Sequence, residues 1–203
     1  MSASRPAKRI TAKDRLIAAA HQTVRAKGYA ATSVDELCAA AGVTKGAFFH
    51  HFPSKEALGI AAANAWTARA EEHIFALPEW TRLPDPLDRL LAHIDLRMAM
   101  IDGPVEDFTC FVGTMVQEAY LTNQPIREAC KASIGAYAER LAVDIQAAID
   151  LHGAKVDALS LAYHVQAVLQ GAFILAKAQH DPSCARDTIT HLKRYVSMLF
   201  ERV

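Results

Sequence analysis

The sequence predicts an all-α protein, and three observations support this fold class. Hydrophobic residues make up 52% of the 203 residues, which is enough to build a sizeable core. Alanine and leucine dominate while long runs of β-branched residues are scarce, which favours helix over strand. Apolar residues recur at the helical spacing i, i+3, i+4, i+7 between glycine and proline stop signals. We therefore expect about nine helices and no strand.

The first two helices are predicted by capping residues and glycines. Thr11 can cap the first helix, and Gly28 stops it. Ser33 and Glu36 have the spacing of a capping box, in which each satisfies a backbone N–H of the other. Gly42 ends this second helix after about two turns.

Two further helices follow closely. The third is short and runs from about Thr44 to His51, because Pro53 forbids its extension. Ser54 can cap a fourth helix, which continues to about Leu77.

Proline, glycine and asparagine divide the rest of the chain into five more helices. Asp85 followed by Pro86 is a typical helix start, and Gly153 is a typical stop. The expected helices cover about 85–100, 105–121, 125–152, 157–179 and 182–201.

Charge is unevenly distributed along a chain whose formal net charge is zero. Residues 1–60 contain nine Lys or Arg and four Asp or Glu, a net charge of +5, and the remainder carries −5. Residues 1–10 are small, polar and basic and predict a flexible arm. A basic amino-terminal quarter predicts a polyanionic partner for this part of the chain only.

Several function classes find no support in the sequence. It has no HExxH motif, P-loop or glycine fingerprint, so we expect no enzyme activity, catalytic residue or cofactor. The cysteines do not have zinc-binding spacing, so no metal site is expected. The longest uncharged apolar run, residues 58–68, is too short to span a bilayer. We expect a cytoplasmic protein with free thiols at Cys38, Cys110, Cys130 and Cys184.

Two short helices joined by a glycine turn indicate a helix-turn-helix. Gly42 permits a left-handed backbone, and Val43 can fill the angle between the helices. Phe48 and Phe52 lie one turn apart and can anchor the third helix. The opposite arc carries Lys45, Gly46, Phe49 and His50, and a bare glycine there allows close approach to DNA.

Residues 28–58 resemble the amino-terminal DNA-binding domain of the TetR family of bacterial transcriptional repressors. The segment reads GYAATSVDELCAAAGVTKGAFFHHFPSKEAL. The resemblance implies a DNA-binding domain over residues 11–56 and an effector-binding and dimerisation domain over 57–203. It also implies a homodimer on a pseudo-palindromic double-stranded operator.

The resemblance also implies roles for individual residues. Ser33 would cap a helix and touch a phosphate, and Lys55 would hold another phosphate. The recognition helix would present Thr44, Lys45, Gly46, Phe49, His50 and His51. Phe49 stands where the family usually has tyrosine, so the hydroxyl contact is lost and apolar contact remains. Without the resemblance, His50 and His51 could be ordinary surface residues.

The resemblance implies dimerisation through the last two helices, and both carry apolar stripes. One stripe contains Leu161, Val165, Val168, Ala172 and Leu175, and the other contains Ile189, Leu192, Val196 and Leu199. Two such stripes can form a four-helix seam across a two-fold axis. The alternative is an ordinary buried core within one chain.

An effector cavity is expected among the middle helices. In helix 105–121 one apolar face contains Phe108, Phe111, Val112, Met115 and Ala119, and a mixed face contains Cys110, Thr114, Gln117 and Leu121. Our effector or sensor candidates are Cys110, Thr114, Gln117, Met115, Phe111, His164 and Tyr137. A similar cysteine serves some family members as an electrophile or oxidant sensor, so Cys110 is a thiol-sensor candidate. Its alternative role is that of a small buried hydrophobe.

These expectations combine into a DNA-binding regulator, with repression relieved by a small-molecule or electrophile effector. Effector entry would move the fourth helix and spoil the spacing of the two recognition helices. The rival interpretation is a helical small-molecule carrier without DNA activity, which the basic amino-terminal segment disfavours. Activation rather than repression stays open at this point.

Overall fold

The computed structural model describes residues 10–200, apart from the side chain of Trp80. This part of the chain contains helices and no strands, which confirms the all-α class. The helices are α1 (Ala12–Lys27), α2 (Val34–Ala41), α3 (Lys45–His51), α4 (Lys55–Ala70), α5 (Pro78–Thr81), α6 (Pro86–Ala99), α7 (Val105–Phe108), α8 (Phe111–Ala119), α9 (Gln124–His152), α10 (Ala158–Gln179) and α11 (Ser183–Leu199). Apart from Ile10, the predicted basic arm lies outside the described residues.

The first three helices form the predicted helix-turn-helix arrangement. Thr11 and Ser33 both close capping boxes, and Gly42 takes the left-handed conformation with φ 61°. Phe48 is completely buried and Phe52 nearly so, which ties α3 to the other two helices. The local sequence signals therefore position α3 as expected.

In the described part of the chain, the helix boundaries differ from the expected ones at three places, while the all-α class with about nine helices stands. The predicted fourth helix changes to a π-helical segment over Glu71–Phe75. The predicted helix 105–121 is broken at Thr109, whose extended backbone (φ −78°, ψ 163°) separates α7 from α8. Cys110 then caps α8, since its Sγ accepts a hydrogen bond from the N–H of Gly113 at 3.4 Å. A four-residue helix at 78–81 was also missed.

Two apolar clusters form the interior, and α9 contributes to both. The first, the DNA-side cluster, joins α1–α4 to α8 and the start of α9; its members include Leu16, Leu37, Phe48, Leu58, Phe111, Met115 and Ile126. The second, the body cluster, joins α6, α7, α9, α10 and α11. Phe108 belongs to the body cluster and Phe111 to the DNA-side cluster, so the single apolar face predicted for helix 105–121 was wrong.

The apolar stripes of α10 and α11 form core within one chain. Leu161, Val165 and Ala172 of α10 are buried in the body cluster. Ile189, Leu192 and Val196 of α11 join them there. Most of the predicted seam residues are therefore unavailable for a subunit interface, and the alternative of an ordinary core is correct for them.

Helix α10 is long and apolar enough to cross a membrane by length and composition alone. The central helix of a soluble domain passes the same test. Here Ala162, Leu169 and Ala176 pack inward against α9 and α11. The composition of α10 is explained by its central position in the bundle.

A first prediction concerns the stability contribution of His21. The His21 side chain donates from Nε2 to the carbonyl oxygen of Ala62 at 2.8 Å, and its ring contacts Trp66 and Phe111. Burial lowers the pKa of His21 to about 4. The unfolded chain takes up this proton near pH 6.5, so the free energy of unfolding falls as pH drops from about 6.5 towards 4. The contribution from His21 is on the order of 2–3 kcal/mol.

Urea unfolding of His21→Phe across this pH range tests the assignment. The variant should lose part of the pH dependence, whereas His50→Phe, which changes an exposed ring, should retain it. An unchanged slope in His21→Phe would contradict the role of His21.

Candidate nucleic-acid interface and cavity

Helix α3 turns one arc inward and the opposite arc to solvent. Thr44 caps the helix, since its Oγ1 accepts from the N–H of Ala47 at 3.1 Å. Phe48 faces inward with no exposed surface. The exposed arc contains Thr44, Lys45, Gly46, Phe49 and His50, with His51 half-buried beside them. These are the residues predicted for the recognition helix, and the fold brings them onto one continuous surface.

Ser33 and Lys45 flank this surface with polar groups. Ser33 is exposed at the start of α2. The ammonium of Lys45 lies 2.8 Å from a carboxylate oxygen of Asp35, and both side chains are well exposed. The hydrogen bond to Asp35 raises the pKa of Lys45, so the group is charged at neutral pH. Exposed ion pairs contribute little free energy, so Lys45 can exchange Asp35 for a phosphate.

Lys55 has a structural role that the sequence did not predict. It is half-buried at the start of α4, and its Nζ donates to the carbonyls of Tyr29 (3.0 Å) and Thr32 (2.9 Å). The ammonium also lies 4.3 Å from the centre of the Tyr29 ring. Two of its three N–H groups therefore hold the α1–α2 loop, residues 28–33, and one remains for a phosphate.

The α1–α2 loop is also held from the body of the protein. The N–H of Ala30 donates to Glu118 of α8 at 2.6 Å. Gly28 takes a positive φ of 93°, and a Cβ at this position would overlap the Glu118 carboxylate. Sequence reasoning missed Glu118, because an isolated acid at the end of a helix carries no signal for a contact 88 residues away.

A cavity of about 170 Å³ lies where the two apolar clusters meet. Its wall is built from α1, the end of α4, the π-helical segment, the α7–α8 junction, α6, α9 and α10. Apolar side chains on the wall include Trp66, Ile74, Phe75, Phe108, Val112, Leu169 and Phe173. We call this the central cavity. Its position beside helix breaks at Glu71 and Thr109 agrees with the frequent occurrence of π-helical segments at functional sites.

The central cavity has more basic than acidic side chains. Four arginines contribute to its wall, Arg25, Arg69, Arg97 and Arg140. The acidic side chains there are Glu71 and Asp107. Arg140 lies 3.8 Å from Glu71 and 3.9 Å from Asp144, and no carboxylate in the described part of the chain is paired with Arg97.

One of these arginines belongs to the DNA-binding helices. Arg25 near the end of α1 donates from Nη1 to the carbonyl of Asp107 at 2.6 Å and from Nε to the carbonyl of His21 at 2.9 Å. Its guanidinium also lies over Trp66. Burial lowers the pKa of Arg25, and the nearby charge of Asp107 raises it. The cavity wall therefore includes a direct connection between α1 and the α7 region.

A second pocket of about 230 Å³, the outer pocket, adjoins the central cavity. The two share Thr109, Cys110, Gln170 and Phe173. Lys177 lies at the outer pocket and donates to the hydroxyl of Thr114 at 3.1 Å.

The predicted effector residues fall into three groups. Cys110 and Tyr137 line the central cavity, and Thr114 and Gln117 line the outer pocket with Cys110. Phe111 and Met115 line neither, because both are completely buried in the DNA-side cluster. His164 is exposed on α10, with its ring 5.1 Å from that of Tyr195. The prediction that Phe111, Met115 and His164 line an effector cavity is therefore wrong.

The thiols differ in their surroundings. Cys110 is half-buried between the two cavities, while Cys38 and Cys130 are buried in the DNA-side cluster. Burial raises the pKa of Cys130 to about 12, so this thiol stays protonated. In the part of the chain that the structure describes, no group of three or more His, Cys, Asp or Glu residues is placed to hold a metal ion.

Comparisons with known proteins agree with this geometry. A family model described as bacterial regulatory proteins of the tetR family matches residues 16–62. A model described as the tetracyclin repressor-like C-terminal domain matches residues 86–192.

Two curated relatives match over shorter regions. The transcriptional regulator LmrA of Bacillus subtilis is 26% identical over 119 residues, which cover 58% of this chain and 62% of LmrA. The transcriptional repressor DhaR of Mycobacterium sp. strain GP1 is 28% identical over 110 residues, 54% of this chain and 53% of DhaR. The matches thus span between half and two thirds of these relatives.

A solved structure matches almost end to end. The regulatory protein TetR from Rhodobacter sphaeroides is 27% identical, with a TM-score of 0.78 over 90% of this chain and 97% of that one. With both family models matching, the second of them over more than half of the residues, the chain belongs to the TetR family of bacterial transcriptional regulators, which bind DNA through a helix-turn-helix and are not enzymes.

Proposed function

We propose that the protein is a homodimeric repressor that binds a pseudo-palindromic operator and releases it when a small molecule enters the central cavity. The observation that carries this proposal is the exposed arc of α3, where cationic, bare-backbone and aromatic groups face solvent while Phe48 anchors the helix from behind. Because its partner would be bacterial DNA, the protein would act in the cytoplasm. Residues 11–56 would contact DNA, and the remainder would bind the effector and the second subunit.

The DNA contacts follow from exposure and chemistry. We assign Thr44, Lys45, Gly46, Phe49, His50 and His51 to the groove and adjacent phosphates, and Ser33 and Lys55 to phosphates. Gly46 supports close backbone approach, since only Thr44 Oγ1, at 3.8 Å, would lie near a Cβ there. Lys55 has a double role, because it also holds the α1–α2 loop in place.

The dimer seam would use the faces of α10 and α11 that one chain leaves exposed. The large apolar side chains exposed on these helices are Leu159, Tyr163, Ile174, Leu175, Tyr195 and Met198. His164 and Leu175 lie eleven residues apart, three helical turns, and so share a face. Tyr195 lies beside His164 across the two helices. This surface is continuous and apolar enough to support an isologous contact.

The link from effector to DNA would run through the contacts between α8, α4 and the α1–α2 loop. Trp66 and Thr67 of α4 line the central cavity, so an effector can displace this helix directly. Cys110 stands between the two cavities and is the candidate thiol for an electrophilic effector. Repression rather than activation is supported by the similarity to DhaR, a repressor by name.

Prediction for Lys45. Removing one phosphate contact by Lys45→Ala should weaken operator binding and reduce the slope of log K against log salt by about one per subunit. Fluorescence anisotropy with the DNA upstream of the gene, at several salt concentrations, measures both quantities. Lys131→Ala, which removes an exposed lysine on α9, is the control and should leave both unchanged. A wild-type slope in Lys45→Ala would remove Lys45 from the interface.

Prediction for the subunit interface. A carboxylate introduced by Leu175→Glu or Tyr195→Glu would face its symmetry mate in a buried seam, which costs several kcal/mol. We expect each variant to shift from dimer to monomer in light scattering coupled to gel filtration at micromolar concentration. Leu151→Glu makes the same change at an exposed site on α9 and should remain dimeric. Dimers formed by both interface variants would place the seam elsewhere.

Prediction for Glu118. Replacing the carboxylate by Glu118→Gln weakens a charge-assisted hydrogen bond to Ala30, which is worth about 1.5–3 kcal/mol. Hydrogen exchange of the α1–α2 loop should become faster, and operator affinity should fall about threefold to tenfold. Glu128→Gln on the surface of α9 serves as the matched control. If exchange in the loop stays at the wild-type rate, Glu118 does not hold it.

A further inference from the structure

We propose that the effector of the central cavity is an organic anion, a carboxylate on a body of about one aromatic ring, held principally by Arg97. This inference rests on the proposed function, since it names the ligand class of the same cavity. It depends on the charge balance of the cavity wall and on unpaired polar groups there. It also depends on the cavity's volume and on the apolar character of the remaining wall.

The charge balance favours a negative ligand. Four guanidinium groups face two carboxylates on the wall. Arg140 lies 3.8 Å from Glu71 and 3.9 Å from Asp144, so both of these pairings are loose. A carboxylate ligand would reduce the excess of positive charge, whereas a cationic ligand would increase it.

Arg97 has donors to spare. Among the described residues its guanidinium makes one weak hydrogen bond, from Nη1 to the sulfur of Met100 at 3.8 Å, and it lies over the ring of Phe173. Its Nε is buried without a hydrogen-bond partner. A guanidinium offers five N–H groups in a planar fork, which matches the two oxygens of a carboxylate. Arg97 is therefore equipped to bind an anion that the chain itself does not provide.

A second unpaired group lies on the same wall. The hydroxyl of Thr109 has no hydrogen-bond partner, although the residue is only 1% exposed. Buried polar groups are paired in most proteins, because leaving one unpaired costs about 1–3 kcal/mol. Thr109 is also one of the residues shared with the outer pocket. A polar ligand atom at the junction of the two pockets would satisfy it with a small adjustment.

The pKa values of two neighbouring groups, His93 and Lys177, reflect the charges around the cavity. Burial, together with the charges of Arg97 and Arg140, lowers the pKa of His93 to about 3. Burial lowers the pKa of Lys177 at the outer pocket and Arg25 adds to the effect, whereas Cys110, Glu118 and Glu106 raise it. An anion entering through the outer pocket would thus pass Lys177 before reaching the arginines. Glu118 is the acidic side chain that it would pass there.

The remaining wall sets the size and character of the ligand body. Trp66, Phe75, Phe108 and Phe173 present aromatic surfaces to the cavity. The volume of about 170 Å³ is close to that of an engineered cavity, about 150 Å³, that holds one benzene ring. A single ring bearing a short carboxylate chain fits these limits, and the outer pocket leaves room for the polar end.

Calorimetric titration of the full-length protein with matched probes tests the inference. The carboxylates are phenylacetate, hydrocinnamate and cinnamate, and their neutral counterparts are the corresponding primary amides. Phenethylamine is the cationic probe. At constant ionic strength, at least one carboxylate should bind about tenfold or more tighter than its amide, as expected for a charge-assisted pair. The amine should bind more weakly than either.

Variants assign the preference to Arg97. In Arg97→Gln the ratio of carboxylate to amide affinity should fall to about twofold or less, while the affinity for the amide stays near wild type. Arg97→Lys, which keeps the charge but loses the fork, should retain part of the preference. Arg127→Gln, on the surface of α9, is the control and should retain all of it.

Several results would overturn the inference. One is that the amides or the amine bind as tightly as the carboxylates, or more tightly. Another is that no carboxylate binds at millimolar concentration. The third is that Arg97→Gln keeps the full preference for carboxylates. A parallel operator-release assay separates this inference from the proposed function. Release by neutral probes alone would contradict the anion assignment and leave the regulator intact. Tight carboxylate binding without release would support the anion site and contradict its role in induction.

Discussion

The packing of Phe111 and Met115 of α8 into the DNA-side cluster is the interaction on which the arrangement of the two halves depends. Both side chains are completely buried among residues of α1, α4 and α9. Loss of a buried phenylalanine costs about 3–5 kcal/mol, so α8 cannot separate from the DNA-binding helices without unfolding part of their core. Because α8 begins at the edge of the central cavity, events at the cavity are mechanically close to α3. Part of the cavity wall and the DNA-binding helices therefore share one core.

The net charge of the region after residue 60 and the charge on the wall of the central cavity have opposite signs. Residues after 60 carry a formal net charge of −5, so the excess of positive charge that favours DNA lies in the amino-terminal part. The wall of the central cavity in this acidic part of the chain nevertheless carries four arginines and two acidic side chains. One of them, Arg25, comes from the basic amino-terminal part and reaches across to Asp107. The net charge of a domain thus does not indicate the ligand of a site enclosed within it.

Local signals allowed the sequence to predict the helix-turn-helix but not the cavity. The helix start at Thr11, the capping box at Ser33, the left-handed Gly42 and the buried Phe48 each depend on residues close in sequence, and all four were predicted. The break at Thr109 was missed because continuous apolar spacing across 105–121 conceals a change of partner from one cluster to the other. The stripes on α10 and α11 have the same period in a core and in a dimer seam, so periodicity alone could not distinguish them. Arg97, the main residue of the proposed anion site, gave no signal, since the cavity wall around it is built largely from residues distant in sequence.

The free energies of individual contacts indicate where binding of the proposed effector would change the structure. Coupling between sites is typically worth 1–3 kcal/mol, which one or two polar contacts can supply. The links of Arg25 to Asp107 and of Glu118 to Ala30 are of this size, whereas the DNA-side cluster is far more costly to disturb. Helix α4 is part of that cluster, so α4 and α8 must move together. The backbone already departs from α-helix at Glu71 and at Thr109, both on the cavity wall. Under the proposed function, a ligand between these two breaks would therefore tilt the DNA-binding helices as a unit while their core stays intact.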